Sequence, residues 1–509
     1  MFKYHKLFLL MMLFLAIVGR ANTIDYFEIK HIVLENRKHV IIKENKTLHK
    51  IFIKYINKKL TLKDLQHLQK EIEDYYVSKG YEYTRVLIPP QTIKGGTLHL
   101  LLFIPMAGKI VVKGNKYYST KFILKRFRAK ENSYLKYDEM TQSILMLNDY
   151  PDLSVKMLLE NNETTKKADI TLQVKDKRPF HVYLQVNNLG AESTSKNKMN
   201  ISGMYGNLLT DGDKLTFATT YALQRKKHNY LYMAGYDVPL NTMNTMLNLS
   251  WFYSTYLVGG EFEDLGIKGD VTNYNVGITQ PIFKTFKHSL TVSTKYTKKT
   301  LDNYILDEVT SKEIINEYDF SLNYSVNFLY AVNTINIGTI FGSLEDNAVK
   351  TRVGGSDRFI KYHAKLSRNQ FINKTNNLIF TLNGQYSNER LPTTEMYSIG
   401  GAIVKGFEPS AGMGDSGYST SLEWMNKLFN MKYLSCSLGV FINYGEVFKN
   451  NVMMGEYKKE SLLGYGVKTI FSVKNRYFLN ISMGYPIDSD NIVYRRKAQI
   501  YATLNLMLW

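Results

Sequence analysis

Lys405 is the one cation between residues 398 and 414, and it sits in Val404-Lys405-Gly406-Phe407, flanked by apolar side chains and by Gly400, Gly401, Gly406, Gly412 and Gly414. The tip thus offers one cation and one aromatic, groups that can anchor a loop. A connector in open solvent needs no such tip, whereas a loop of about residues 391–414 folded back into a lumen needs small residues for clearance and anchors for its end. Covalent chemistry has no comparable support. Gly412-x-Gly414-x-x-Gly417 matches a dinucleotide fingerprint letter for letter, but that motif works where a strand enters a helix, and this one enters an alternating strand. His31, His39, His49, His67 and His99 lack metal-ligand spacing, and no serine, histidine and acid are brought together by any motif. No enzyme activity, cofactor or metal is expected.

The segments that must position this loop begin after a secretory leader. Lys3 and Lys6 precede an apolar stretch over residues 7–18, and Gly19-Arg20-Ala21 offers a cleavage site after Ala21. Twelve apolar residues fall short of the roughly 20 that span a membrane as a helix. The chain carries 38 Tyr, 26 Phe and a single cysteine, Cys436. That excludes an intramolecular disulfide framework and suits an outer-membrane barrel, whose interfaces are marked by aromatic girdles, although a large secreted β-sandwich or β-helix shares much of this composition. The formal charge of +20 is spread over short clusters such as Lys298-Lys299 and Lys458-Lys459. These read as solvated turns and contacts with anionic headgroups of the outer-membrane lipids rather than as a nucleic-acid surface.

Two similar α+β modules are expected over residues 22–106 and 107–177. In the first, a strand near 27–34 precedes helices over 48–57 and 62–79, then strands over 83–88 and 97–103. Leu62, Leu65, Leu68 and Ile72 recur at helical spacing, Thr61 with Asp64 forms a capping box, and Gly80 ends the helix. The order repeats as a strand over 109–113, a helix capped by Ser119 or Thr120, a helix over 137–147, and strands over 154–160 and 169–175.

Beyond residue 178, period-two alternation takes over. Leu378, Phe380, Leu382, Gly384 and Tyr386 oppose Thr381, Asn383 and Gln385, and Ile500, Ala502, Leu504, Leu506 and Leu508 oppose Gln499, Tyr501, Thr503 and Asn505. About sixteen such segments begin near residues 179, 198, 213, 228, 244, 270, 288, 315, 334, 358, 376, 415, 433, 464, 476 and 497. Residues 178–509 therefore predict a transmembrane all-β barrel of about sixteen antiparallel strands. An even count returns both barrel ends to the periplasmic side and places the long loop between strands eleven and twelve.

Taken together, the tandem modules, the barrel, the Val-Lys-Gly-Phe loop and a last strand ending in Trp509 resemble the two-partner secretion transporters, in the superfamily of outer-membrane barrels with periplasmic POTRA domains. Gly80-Tyr81 through Arg85-Val86-Leu87-Ile88-Pro89-Pro90-Gln91 is similar to the end of that family's first POTRA domain, and Leu147-Asn148-Asp149-Tyr150-Pro151 to the helix end of its second. Asn207-Leu208-Leu209-Thr210-Asp211-Gly212-Asp213, Gly414-Asp415-Ser416-Gly417 with Glu423, and Phe441-Ile442-Asn443-Tyr444-Gly445 resemble family signatures in the barrel. The resemblance implies a monomeric translocator in the outer membrane of a Gram-negative bacterium, with its POTRA domains in the periplasm. These would bind a large unfolded exoprotein of the adhesin or haemolysin class, which then passes through the barrel without nucleotide hydrolysis. An assembly factor for other barrel proteins is the alternative on the same architecture. The family often has a plug helix ahead of the first POTRA domain, and with only residues 22–25 before the first strand none is expected here.

The family pairs an arginine of the loop with an aspartate of the strand signature, and this chain has Lys405 and Asn443 at those positions. Strand parity sends Asn443, Asp415 and Glu423 into the lumen. Lys405 is therefore expected to pair with Glu423 or Asp415 and to hydrogen-bond Asn443.

Overall fold

The computed structural model describes residues 26–508, apart from residues 224–228, 347 and 491–496. The expected cleavage site at Ala21 and the terminal Trp509 lie outside the described residues. Among the described residues, no helix is long and apolar enough to cross a membrane. The chain divides into two compact units. Met1–Val111, Arg128–Thr141 and Met157–Leu172 form one, and Val112–Phe127, Gln142–Lys156 and Gln173–Trp509 form the other.

In the first unit, β1 (Phe27–Ile29) and β3 (Lys58–Leu60) pair antiparallel. β2 (His31–Asn36) runs parallel to β5 (Thr97–Phe103), which also takes β4 (Arg85–Leu87) antiparallel. The single strand expected over 27–34 is thus split in two, each half joining a different sheet. Two helices cover these sheets. The side chain of Asn45 accepts from the Thr47 and Leu48 N–H groups to start α1 (Lys46–Ile53). Thr61 and Asp64 form the expected capping box of α2 (Leu62–Val77), and Gly80 follows it with φ +89°. Leu65, Leu68 and Ile72 of α2 share one core with Leu48, Phe52, Leu98 and Leu100, and burying each such side chain contributes about 1.5–3 kcal/mol.

A second small sheet has the order β6 (Ala107–Lys113), β8 (Lys167–Asp176), β7 (Leu153–Asn162). Two helices belong with it, α3 (Thr120–Arg126), capped by Ser119, and α4 (Tyr137–Leu147). The Asp176 carboxylate at the end of β8 accepts from the N–H groups of Lys116, Tyr117 and Tyr118 at 2.7–3.0 Å, which fixes the turn that leads into α3.

The alternating segments close into a sixteen-stranded antiparallel barrel. Its strands are β9 (Phe180–Asn187), β10 (Lys198–Gly206), β11 (Lys214–Ala222), β12 (Tyr230–Pro239), β13 (Met246–Leu257), β14 (Lys268–Lys284), β15 (His288–Ile305), β16 (Glu308–Phe328), β17 (Ala331–Leu344), β18 (Arg358–Phe371), β19 (Asn376–Ser387), β22 (Ser416–Asn430), β23 (Leu434–Phe448), β24 (Lys459–Val473), β25 (Tyr477–Asp490) and β26 (Gln499–Met507). β26 closes on β9 through Thr503↔Asn187 to Met507↔Tyr183. Fourteen of the sixteen expected starts fall within three residues of these. The exceptions are β16 and β24, which begin earlier because backbone pairing with β15 and β23 continues to Glu308 and Lys459. Between β19 and β22 the chain forms a short hairpin, β20 (Tyr397–Ile399) with β21 (Gly412–Gly414), which carries the loop tip.

Candidate functional site

The loop between β19 and β22 is pinned at its base by buried charge. Glu395 is 3 % exposed, and its carboxylate takes Lys299 of β15 and Lys361 of β18 at hydrogen-bond distance. Glu317 of β16 adds longer contacts of 3.9 Å to Lys299 and 3.6 Å to Lys361. Lysines from two strands of the wall thus hold one carboxylate of the loop, and a carboxylate of β16 shares them. Such a buried cluster is weak evidence for net stability, but removing either cation leaves a charge uncompensated, which costs about 3–5 kcal/mol.

A second ionic node ties the loop to the barrel's outer rim. Asp415, fully buried, accepts from the Arg352 guanidinium at 2.5 Å, from the Leu391 N–H at 2.7 Å and from the Asn450 N–H at 2.7 Å. Arg390 forks onto Glu456 at 2.8 and 3.0 Å and donates to the carbonyls of Val353, Asn450 and Asn451. Arg352 Nε lies 3.6 Å from Glu456. Hydrogen bonding to Arg390 holds the Glu456 carboxyl down at about 2, against the upward push of its partial burial. Residues 345–357, 388–415 and 449–458, three separate connections on the extracellular side, are joined here.

The tip is held differently. Val404 and Phe407 are buried with Ile399, Val447 and Leu462. The Tyr501 hydroxyl accepts from the Gly406 N–H at 2.9 Å and donates to the Phe407 carbonyl at 3.2 Å. Gly406 has φ +107°, and a Cβ there would meet the Pro486 nitrogen at 2.7 Å. The wall has its own clearances. A Cβ on Gly464 would lie 2.2 Å from the Lys405 carbonyl oxygen, one on Gly484 2.7 Å from Lys405 Cβ, and one on Gly445 3.0 Å from Val404 Cγ2.

Lys405 lies 3.9 Å from Glu423 and 4.5 Å from the centroid of Phe441. Glu423 also takes Lys468 of β24, at 3.0 Å, so the loop ammonium is the more distant of two cations on one carboxylate. The structure does not bring Asp415 to Lys405, because Arg352 already occupies it at the rim. Nor does it bring Asn443 to Lys405: the Asn443 amide donates to Ser421 at 2.7 Å, and its Oδ1 is buried without a hydrogen-bond partner. Both expectations are corrected: Asp415 is taken by Arg352, whereas Asn443 Oδ1, the acceptor an ammonium would need, stays unpartnered because Lys405 lies over Phe441 and toward Glu423 instead. Arg352, Arg390, Glu456, Glu395 and the wall glycines went unread in the sequence. The ionic partners lie 34–96 residues apart in the chain, on strands or on other connections, with no local signature. Gly445, Gly464 and Gly484 were within reach, since parity places them on the lumen face.

Residues 166–469 match the family model described as haemolysin secretion/activation protein ShlB/FhaC/HecB, and residues 27–103 match that of the ShlB-type POTRA domain. The chain is 24 % identical over 484 residues to the heme/hemopexin transporter protein HuxB of Haemophilus influenzae strain 86-028NP, covering 92 % of this chain and 85 % of that one. It is 22 % identical over 394 residues to the outer membrane transporter CdiB of Dickeya dadantii, covering 74 % and 67 %. Among solved structures, CdiB from Escherichia coli superposes with TM-score 0.82 at 17 % identity, over 96 % of this chain and 92 % of that one. BamA from Haemophilus ducreyi lacking POTRA domains 1–3 superposes with TM-score 0.53 at 15 % identity, over 95 % and 100 %. These likenesses are of fold.

Proposed function

The chain belongs to the haemolysin secretion/activation protein family, ShlB/FhaC/HecB, and from that premise we propose that it exports one large unfolded exoprotein through its barrel without nucleotide hydrolysis. The family's members are transporters and not enzymes, and their barrels lie in the outer membrane with POTRA domains in the periplasm. In the reading proposed here, residues 22–106 and 107–177 are two POTRA domains and residues 178–509 a monomeric barrel surrounded by outer-membrane lipid. The POTRA domains capture an extended segment of the exoprotein by strand addition. β7 suits this as an edge strand of its sheet, with Leu158 and Leu159 exposed.

One observation carries the proposal: the barrel holds its own loop inside, and every contact that keeps the tip there is reversible. Val404 and Phe407 sit in an apolar seat, one tyrosine hydroxyl bridges two backbone groups, and the ammonium is loosely paired. A polypeptide that displaces the tip opens a path, and folding of the exported chain outside then prevents its return. Val404, Lys405, Gly406 and Phe407 are proposed as the gating tip, with Glu423 and Phe441 as its lumen contacts.

The test is reconstitution of the purified chain into lipid vesicles free of nucleotide, with an unfolded exoprotein offered on the POTRA side. Delivery of exoprotein to the opposite compartment is expected; a requirement for ATP would refute the nucleotide-free mechanism. Insertion of other barrel proteins by the same vesicles, without delivery, would favour an assembly factor.

A further inference from the structure

Strand parity and the loop contacts together identify the lumen face of the barrel. Lys299 of β15 reaches the inward loop, so Ser293, Lys295 and Thr297, at even spacing from it, share its face. Register carries that face across the sheet, because Thr297 stands opposite Asn275 and Asn275 opposite Ser250. The side chains join along this row: Thr297 donates to Asn275 at 2.7 Å, and Asn275 donates to Ser250 at 3.0 Å. One row below, Thr279 donates to Asn248 at 2.7 Å and Asn248 to Asp237 at 2.7 Å.

Two concavities lie end to end on this wall. The inner one, about 280 Å³, is lined by Ser250, Asn275, Ser293 and Lys295 among others. The outer one, about 250 Å³, sits at the periplasmic mouth between Asp149-Tyr150-Pro151 and the strand ends at Lys214, Asp237 and Met246. Asn248 and Thr279 line both, so the two form one continuous groove. Its floor at the mouth is fixed, since the Tyr150 hydroxyl donates to Asn244 at 2.9 Å and the Asn244 amide donates to the Met146 carbonyl at 2.9 Å.

We infer that this groove, running from the Asp149-Tyr150-Pro151 corner up β12–β15, is the entry track along which an extended segment of the exported chain passes into the lumen. The inference rests on the export reading and adds where in the barrel the substrate runs. Three features select an extended polypeptide. The inner concavity is lined mostly by neutral amides and hydroxyls, Asn248, Ser250, Asn275, Thr279, Ser293 and Thr294, which can exchange hydrogen bonds with any backbone and so tolerate any sequence. Charges along it are paired with opposite ones, Lys214 with Asp237 at 2.9 Å and Lys295 with Asp319 at 3.8 Å, so the track repels neither acidic nor basic segments. It also lies on strands other than β23–β26, which seat the tip of the inward loop. Weak, uniform, backbone-directed contact suits sliding, where a deep apolar pocket would arrest the chain.

The experiment uses the full-length transporter in cells, with Cys436→Ser as background and one cysteine added at Ser250, Asn275 or Ser437. Ser437 shares the lumen face of β23 with Phe441 and Asn443, across from the track. The probe is the exoprotein that disappears from the medium when the gene is deleted, given one cysteine near its amino terminus and a stably folded carboxy-terminal fusion that stalls it in transit. Disulfide adducts at Ser250→Cys and Asn275→Cys, with loss of the adduct at Ser437→Cys, are expected. Adducts at Ser437→Cys equal to or above those at the track would overturn the inference and leave the export reading standing. No adduct at any of the three positions, with the unfused probe still reaching the medium in all three variants, would also overturn the inference, whereas a probe that reaches the medium equally well in cells lacking the transporter would overturn the export reading.

Discussion

Replacing Arg390 by leucine keeps most of the buried stem volume and removes the fork onto Glu456. Glu456 then keeps Arg352 at 3.6 Å as its remaining cation and the Met453 N–H at 3.1 Å, and the carbonyls of Val353, Asn450 and Asn451 lose a donor. Breaking a fully buried pair costs about 3–5 kcal/mol. Glu456 keeps a quarter of its side chain exposed, so solvent recovers part of that loss and about 2–3 kcal/mol remains. A difference of that size moves the equilibrium between held and released rim connections by about 30- to 150-fold. Lys405→Met offers the contrast. It removes a 3.9 Å pair from a carboxylate that retains Lys468, worth under about 1 kcal/mol, and a ring contact worth about 1 kcal/mol, offset by no longer burying an ammonium. In single-channel recordings of the purified protein, Arg390→Leu is therefore expected to raise the open fraction by roughly tenfold more than Lys405→Met. The reasoning is refuted if Lys405→Met opens the channel as often as Arg390→Leu, because the dominant latch would then sit at the tip.

Acid should act through the same node. Glu456 titrates at about 2 in the held state and near 4.3 when released, so its contribution is full above the released value and is lost as pH falls toward 2. Channel opening should rise between about pH 4 and pH 2, and Glu456→Gln should already be open at neutral pH and lose this part of the acid response. Gly464→Ala places a methyl 2.2 Å from the Lys405 carbonyl oxygen, so the tip must shift and conductance should increase; Gly384→Ala, whose nearest neighbour is 3.6 Å away, should leave it unchanged. Tyr501→Phe strands the buried Gly406 N–H at a cost of about 1–3 kcal/mol, and maleimide labelling of a cysteine at Lys405 should speed up about tenfold in that background. In the first POTRA module, Leu68→Ala should cost about 2–5 kcal/mol, read as a lower denaturation midpoint for that module while the barrel keeps its heat-dependent gel mobility.

The barrel was legible because each strand must show one face to lipid and one to a polar lumen, a constraint that writes period two into every segment. Elements outside that constraint were harder to read. β3 is Lys-Lys-Leu, too short and too charged to show a period, and only its pairing with β1 makes it a strand. The break between β1 and β2 at Lys30 reflects two sheets competing for one segment. At the site, Val404, Phe407 and Glu423 were readable from composition and parity. The partners of Asp415 and Glu395 were not, because each comes from a distant connection or strand and becomes a neighbour only when the barrel closes. Parity gave Asn443 the correct direction, but direction does not decide where the Lys405 ammonium comes to rest, which is over Phe441 and toward Glu423.

The most direct test compares the secreted and outer-membrane proteins of the host with and without this gene. Loss of one or two large proteins from the medium, with the set of outer-membrane barrels intact, is the result expected of a dedicated exporter. An unchanged medium together with a general fall in barrel proteins would contradict it.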